Sequence, residues 1–174
     1  MKTAVFANSK GGVGKSTIAL LTSLSLATKY NRANVELIDL DPQATTSDSL
    51  SRFANYRFKV INNEEFYLGS TTPNNSRIIS HLESSSDNHI SECYSVIDCP
   101  AGNDPVRSTF LLHSDIIFIP TSVSDADVFA TKKYIASLID LFESDVENSP
   151  KKLVEITNIG TQIIDEMNNE LINQ

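Results

Sequence analysis

Ser9-Lys10-Gly11-Gly12-Val13-Gly14-Lys15-Ser16-Thr17 follows directly on the apolar run Thr3-Ala4-Val5-Phe6-Ala7 and leads into an Ala/Leu/Ser-rich stretch. A strand that ends in a glycine-rich loop and continues as a helix is built to hold the phosphates of a nucleoside triphosphate. Backbone N–H groups wrap the β-phosphate, and the positive end of the helix dipole faces the anion. In this pattern Lys15 reaches the β/γ oxygens and the Ser16 hydroxyl is placed to ligate Mg2+. The expected ligand is Mg-ATP or Mg-GTP. The plain alternative is a glycine-rich turn with solvated lysines, which the strand before and the helix after argue against.

The loop departs from the general phosphate-loop pattern in two ways: Ser9 stands where the first glycine is expected, and a second lysine, Lys10, follows it. This Lys-Gly-Gly-x-Gly-Lys-Ser/Thr sequence resembles the signature of the deviant Walker A ATPases, the family of ParA, MinD and the nitrogenase iron protein, and within it ParA most of all. The resemblance implies a parallel α/β fold, ATP and Mg2+ as ligands, and a dimer in which Lys10 crosses to the phosphates of the partner's ATP. It assigns nucleotide contacts to Lys10, Gly11, Gly12, Val13, Gly14, Lys15, Ser16 and Thr17.

Two further strand ends extend the resemblance. Val35-Glu36-Leu37-Ile38-Asp39-Leu40-Asp41-Pro42-Gln43 is similar to the ParA strand that ends in Asp-x-Asp-Pro-Gln. By that similarity Asp41 positions the attacking water, making Lys10, Lys15 and Asp41 the catalytic set, while Asp39 supports the Mg2+ and lysine network. Without it, paired acids ahead of a proline read as a polar strand exit or turn. In Tyr94-Ser95-Val96-Ile97-Asp98-Cys99-Pro100-Ala101-Gly102, apolar residues run into an acid at the end of a buried parallel strand, where α/β proteins bind ligands. Asp98 is the Walker B candidate, joining Ser16 as a metal residue, and Pro100-Ala101-Gly102 resembles switch II. The bland reading of Asp98 is a cap for the next helix.

The chain has 174 residues, 40% of them apolar, which fits one globular domain over 1–174. Strands are predicted near 3–8, 34–39, 57–61, 94–98, 115–119 and 152–157, with helices near 15–30, 43–54, 74–84, 104–113, 125–143 and 161–172. This alternation predicts a parallel sheet covered on both faces. Helix 125–143 has Ser124 as its N-cap and an apolar stripe through Val128, Tyr134, Ile135, Leu138, Ile139 and Phe142. Residues 62–72 and 84–88 read as surface loops. Cys93 and Cys99 lack metal or redox spacing and read as buried small residues. His81, His89 and His113 read as surface or loop histidines.

Asp115-Ile116-Ile117-Phe118-Ile119-Pro120-Thr121 is similar to the ParA strand after switch II, and carries the resemblance to residue 158. There Asn158 is the adenine contact that the resemblance implies. Beyond it the chain is shorter than the family pattern, which places most DNA-binding Arg and Lys toward that part. With 22 acidic and 14 basic residues and a net charge of −8, general attraction to nucleic acid is not expected. Local pairs, Lys132-Lys133 and Lys151-Lys152, remain as patch candidates alongside Arg77 and Arg107. No signal-like core, membrane-length apolar run or basic amphipathic tail is present, so a cytoplasmic protein without membrane attachment is expected, nucleoid-associated if it binds DNA.

The reading is therefore a ParA-like ATPase that dimerises with ATP, hydrolyses it slowly and drives plasmid or chromosome partition. Its implied partners are a ParB-like or other centromere- or cargo-binding protein, and DNA bound non-specifically when ATP is present. The alternatives are a conjugative DNA-transfer ATPase, a small-molecule ligase or kinase of the dethiobiotin synthetase type, and a nucleotide-dependent interaction module with negligible hydrolysis.

Overall fold

The computed structural model describes residues 1–30, 33–51, 58–86, 92–145 and 152–157. Strands β1 (Lys2–Phe6), β2 (Asn34–Asp39), β3 (Phe58–Ile61), β4 (Cys93–Asp98), β5 (Ile116–Thr121) and β6 (Lys152–Thr157) alternate with α1 (Lys15–Lys29), α2 (Thr45–Leu50), α3 (Glu64–Tyr67), α4 (Asn75–Ser86) and α5 (Asp125–Ser144). The strands form one sheet in the order β3-β2-β4-β1-β5-β6, and every pairing is parallel. The expected parallel α/β architecture is the observed one.

Neighbouring apolar residues on each central strand point to opposite faces, so both faces need cover. Phe6, Leu37 and Val96 pack with Ala19 of α1 and Leu50 of α2. Val5, Ile38 and Ile97 pack on the other side with Ile78, Phe110, Tyr134 and Leu138. Helix α1 thus covers one face and α5 the other. β1 and β5 lie side by side yet send their following helices to opposite faces. The crevice opens where the order switches, at the carboxyl ends of the strands.

Some local expectations shift. The helix foreseen at 104–113 is two short 3-10 turns, Pro105–Arg107 and Thr109–His113, because Pro105 starts the first and Ser108 interrupts the pair. The segment read as a loop at 62–72 contains α3, a single turn that buries Phe66, and α4 runs to Ser86, past the predicted end. In α5 the Ser124 Oγ accepts a hydrogen bond from the Asp127 N–H, as the N-cap expectation requires. Its buried stripe is Thr131, Tyr134, Leu138 and Leu141, while Ile139 is 38% exposed. Cys99 is buried, but Cys93 is only partly so.

His81 is not a surface histidine. Its Nε2 lies 3.2 and 3.1 Å from the two carboxylate oxygens of Glu36, and Phe66 stacks edge-on against its ring. Hydrogen bonding to Glu36 raises the His81 pKa above the usual histidine value. The predicted helix 161–172, Asn158, His89 and Lys151 lie outside the described residues. Among the described residues no helix is long and apolar enough to cross a membrane.

Candidate functional site

The glycine-rich loop leaves the end of β1 and turns into α1 through Gly12 and Gly14, whose φ angles of 74° and 97° are left-handed. A Cβ there would strain the backbone, so the tight wrap depends on glycine at both. Upstream, Asn8 anchors the loop: its Nδ2 donates to the Pro120 carbonyl and to Thr131 Oγ1, both at 2.9 Å, and its Oδ1 accepts from the Lys10 N–H at 3.1 Å. Downstream, the Gly102 N–H donates to the Ser9 carbonyl at 2.8 Å. The segment after β4 is therefore tied to the loop.

Gly11, Gly12, Gly14, Lys15, Ser16, Thr17, Asp41 and Ala101 line a cavity of about 230 Å³. Val13 lies in the same loop with its side chain buried. Lys15 is 6% exposed, and its Nζ donates to the Lys10 carbonyl at 2.6 Å. Burial lowers the Lys15 pKa, while Cys99, Asp98 and Asp41 act in the opposite direction. A second cavity, of about 570 Å³, shares Asp41 and Ala101 with the first and is lined by Gln43, Tyr67, Asn75, Asn103, Arg107 and others.

β2 and β4 are paired so that Asp39 and Asp98 stand opposite each other. Both are completely buried. Asp98 Oδ2 accepts from Thr46 Oγ1 at 2.8 Å, whereas its Oδ1 is buried without a hydrogen-bond partner among the described residues. Burial pushes the Asp98 pKa up to about 6, against the hydroxyls of Thr46 and Ser16, which favour the charged form. An orphaned carboxylate oxygen beside a serine hydroxyl and a buried lysine suits a divalent cation, the hard oxygen-seeking kind that Mg2+ represents.

Asp39, expected in the metal and lysine network, accepts a backbone hydrogen bond on each oxygen. Oδ1 accepts from the Asp41 N–H at 3.0 Å and Oδ2 from the Ser47 N–H at 2.7 Å. It holds the Asp41 segment and the start of α2, and burial raises its pKa despite those two donors. Asp41 reaches both cavities, its Oδ1 accepting from the Gln43 N–H at 2.9 Å and its carbonyl from Asn63 Nδ2 at 2.8 Å. Tyr67 donates its hydroxyl proton to the Leu40 carbonyl at 2.7 Å, and its pKa is pushed up to about 12 by burial and then by Asp41.

Lys10 Nζ lies 3.1 Å from Asp127 Oδ1 at the start of α5. Asp127 also accepts a hydrogen bond from the Ser122 hydroxyl. That bond first, then Ser124 and Lys10, holds its carboxyl down to about 2.

A family profile described as an AAA domain matches residues 1–89, half of the 174-residue chain. The chain belongs to this family. Within it, the Lys10 to Thr17 loop and the acid-terminated strands are of the ParA and MinD type. Over 153 residues the chain is 30% identical to the maintenance of carboxysome distribution protein A of Halothiobacillus neapolitanus, covering 86% of this chain and 62% of that protein. Over 50 residues it is 46% identical to a virulence-plasmid ParA family protein of Chlamydia psittaci, covering 29% of this chain and 19% of that protein. The chain therefore spans less than two thirds of either relative. The solved structure of apo McdA from Cyanothece superposes with a TM-score of 0.68 at 20% identity, covering 90% of this chain and 72% of that one. The shared fold is that of P-loop nucleoside triphosphatases.

Of the residues that the motifs single out, Lys15, Ser16 and Asp41 line one crevice and Asp98 is buried beside Ser16 and Lys15, while four supporting residues were not singled out as site residues. Asn8, Thr46 and Asn63 carry no pattern of their own, and Asp127 reads only as an acid in the first turn of α5. Each acts through a partner at least 22 residues away in sequence, the shortest such separation being that of Asn63 and Asp41. For Thr46 the local hint was the hydroxyl pair Thr45-Thr46 just past Asp-Pro-Gln.

Proposed function

We propose that this chain binds Mg-ATP at the Lys10 to Thr17 loop, hydrolyses it slowly and dimerises around two ATP molecules to position DNA or another cargo in the cytoplasm. One observation carries the reading: Lys15, Ser16 and Asp41 line one crevice of about 230 Å³, and Asp98, buried beside Ser16 and Lys15, keeps an Oδ1 without a hydrogen-bond partner among the described residues. The functions named for the two relatives, carboxysome distribution and a ParA-family role on a virulence plasmid, point to positioning work of this kind.

In this mechanism loop N–H groups and Lys15 bind the β- and γ-phosphates, while Ser16 and Asp98 hold Mg2+. Held there, Mg2+ would supply charge neutralisation for the transferring phosphoryl group. Asp41 orients the attacking water and takes its proton. Lys10 leaves Asp127 and crosses to the partner's phosphates. Asn158 contacts adenine. A ParB-like or other cargo-binding protein stimulates turnover, and Lys132 and Lys133, both on the exposed side of α5, supply non-specific DNA contacts in the ATP dimer.

Calorimetry with Mg-ATP on the wild type and on Lys15→Ala, together with phosphate release, tests the reading. Saturable binding and slow release by the wild type, both lost in Lys15→Ala, are expected. Unchanged affinity in the variant removes the phosphate-loop reading. The second cavity, beside Asp41 and lined by amide, phenol and guanidinium groups, favours one other reading, an ATP-dependent ligase or kinase acting on a polar metabolite. Turnover that depends on an added metabolite, with no effect of DNA or partner protein, would select it.

A further inference from the structure

A buried carboxylate that presents one oxygen to a cation needs its other oxygen held, or the group rotates and the cation meets a moving ligand. Asp98 has this asymmetry. Thr46 Oγ1 donates to its Oδ2 at 2.8 Å, its Oδ1 has no partner among the described residues, and both residues are almost fully enclosed. Thr46 reaches across 52 residues of sequence to do this, so the contact is a product of the fold.

The donor is itself held on a fixed mount. Ala44 adopts a left-handed φ of 52°, an uncommon conformation for a residue with a Cβ, and turns the chain into α2. Asp39 Oδ2 then takes the Ser47 N–H in the first turn of α2, while its Oδ1 takes the Asp41 N–H. Thr46 and the Asp41 segment thus hang from the two oxygens of one buried side chain. The β-branched threonine adds a stiff χ1 that a serine lacks.

We propose that Thr46 is a positioning residue of the metal and phosphate site: its hydroxyl fixes the Asp98 carboxylate so that Oδ1 is presented, beside Ser16, to the divalent cation that accompanies ATP. The proposal rests on the reading of Asp98 as a metal residue. It adds a residue that lies outside the motif stretches 9–17, 35–43 and 94–102. It also links the cation to the Asp41 segment, because the mount that aims Thr46 is the one that holds the Asp41 backbone.

The test separates metal-dependent from metal-independent nucleotide affinity. ATP binding is titrated with Mg2+ present and with EDTA, for the wild type, Thr46→Val and Thr46→Ser, with thermal melts to establish folding. Binding of Mn2+ to the ATP complex, followed by its paramagnetic signal, gives a second readout that needs no turnover. Thr46→Val keeps the shape and removes the donor. Its Mg2+ enhancement should fall on the order of 10- to 100-fold, the scale for groups that orient a metal ligand, while its affinity in EDTA stays at the wild-type value. Thr46→Ser should restore most of the enhancement. If Thr46→Val does not fold, Thr46→Cys, which fits the space and donates weakly, should show the same loss in milder form.

A folded Thr46→Val with full Mg2+ enhancement overturns the proposal. Equal weakening with and without metal also overturns it, because it marks a general packing role. A wild type that binds ATP with no metal enhancement at all defeats instead the underlying reading of Asp98, and is recognised before any variant is made.

Discussion

Asp98→Asn should make the metal-free protein gain stability relative to the wild type as pH rises from acid to neutral, while abolishing its use of Mg2+. The carboxyl sits at the end of β4 with 0% exposure and one oxygen without a partner among the described residues, and burial raises its pKa from 3.8 to about 6. The folded state therefore holds this proton more tightly than the unfolded chain does. Between those two values the folded protein binds more protons than the unfolded one, so stability falls as pH rises through the window. At roughly 1.36 kcal/mol per pH unit, the full cost above pH 6 is about 3 kcal/mol, of which about 2 kcal/mol accrues between pH 4.5 and pH 7. An asparagine does not titrate, and whatever its amide costs in that pocket is the same at both pH values. The assay is thermal melting of wild type and Asp98→Asn in EDTA at pH 4.5 and pH 7. The variant should gain on the wild type by roughly 4–8 °C between the two, at about 2–4 °C per kcal/mol for a domain of this size. Adding Mg-ATP at pH 7 should raise the melting temperature of the wild type far more than that of the variant, because only the wild type gains binding energy from the metal complex. A difference between the two proteins that does not change with pH would refute the reasoning, since it would mean that Asp98 is not buried as a costly charge.

Asp41→Ala should bind Mg-ATP normally and turn over about 10²-fold more slowly, because a water-orienting carboxylate acts in the transition state; single-turnover phosphate release checks this, and wild-type rates would remove Asp41 from the role. Lys10→Ala should bind ATP yet stay monomeric by light scattering, and normal ATP-dependent dimers would contradict a lysine acting in trans. Gly12→Val is the less clean companion. Nothing lies within 4 Å of a Cβ there, but the φ of 74° strains any side chain, so binding should drop somewhat and dimerisation far more. Lys132→Ala with Lys133→Ala should flatten the salt dependence of any ATP-dependent DNA complex, and a mobility-shift titration at low salt with no complex for the wild type would leave a partner protein as the route to cargo.

The contiguous loop from Ser9 to Thr17 was legible because its chemistry is local. Glycines, lysine and hydroxyl act within one strand-loop-helix junction, and the backbone that positions them is their own. Asp98 was legible for a related reason: an apolar run that ends in an acid marks a buried strand delivering a carboxylate to the ligand end of a parallel sheet. Asp41, two residues past the end of β2, was legible only through the resemblance of its Asp-x-Asp-Pro-Gln stretch to the ParA strand end. Short elements were harder. The single turn Glu64–Tyr67 is too brief to show a helical period, and Pro105 with Ser108 splits into 3-10 turns a stretch whose apolar spacing suggests one helix.

The sequence alone thus determined the parallel architecture, the phosphate loop and the two acids, since each depends on periodicity or on neighbours along the chain. Only the tertiary structure decided how those groups are held. Asn8 meets Thr131 across 123 residues, Lys10 finds Asp127 on α5, Glu36 takes His81 as its partner under α4, and Thr46 occupies one oxygen of Asp98. A hydroxyl or an amide has no periodic signature, and its partner is chosen by which strands and helices the sheet order sets side by side. Asp39 makes the distinction sharpest: the motif marks it as part of the site, and the fold commits both its oxygens to backbone N–H groups, because a buried carboxylate between two unsatisfied donors is most stable when it satisfies them.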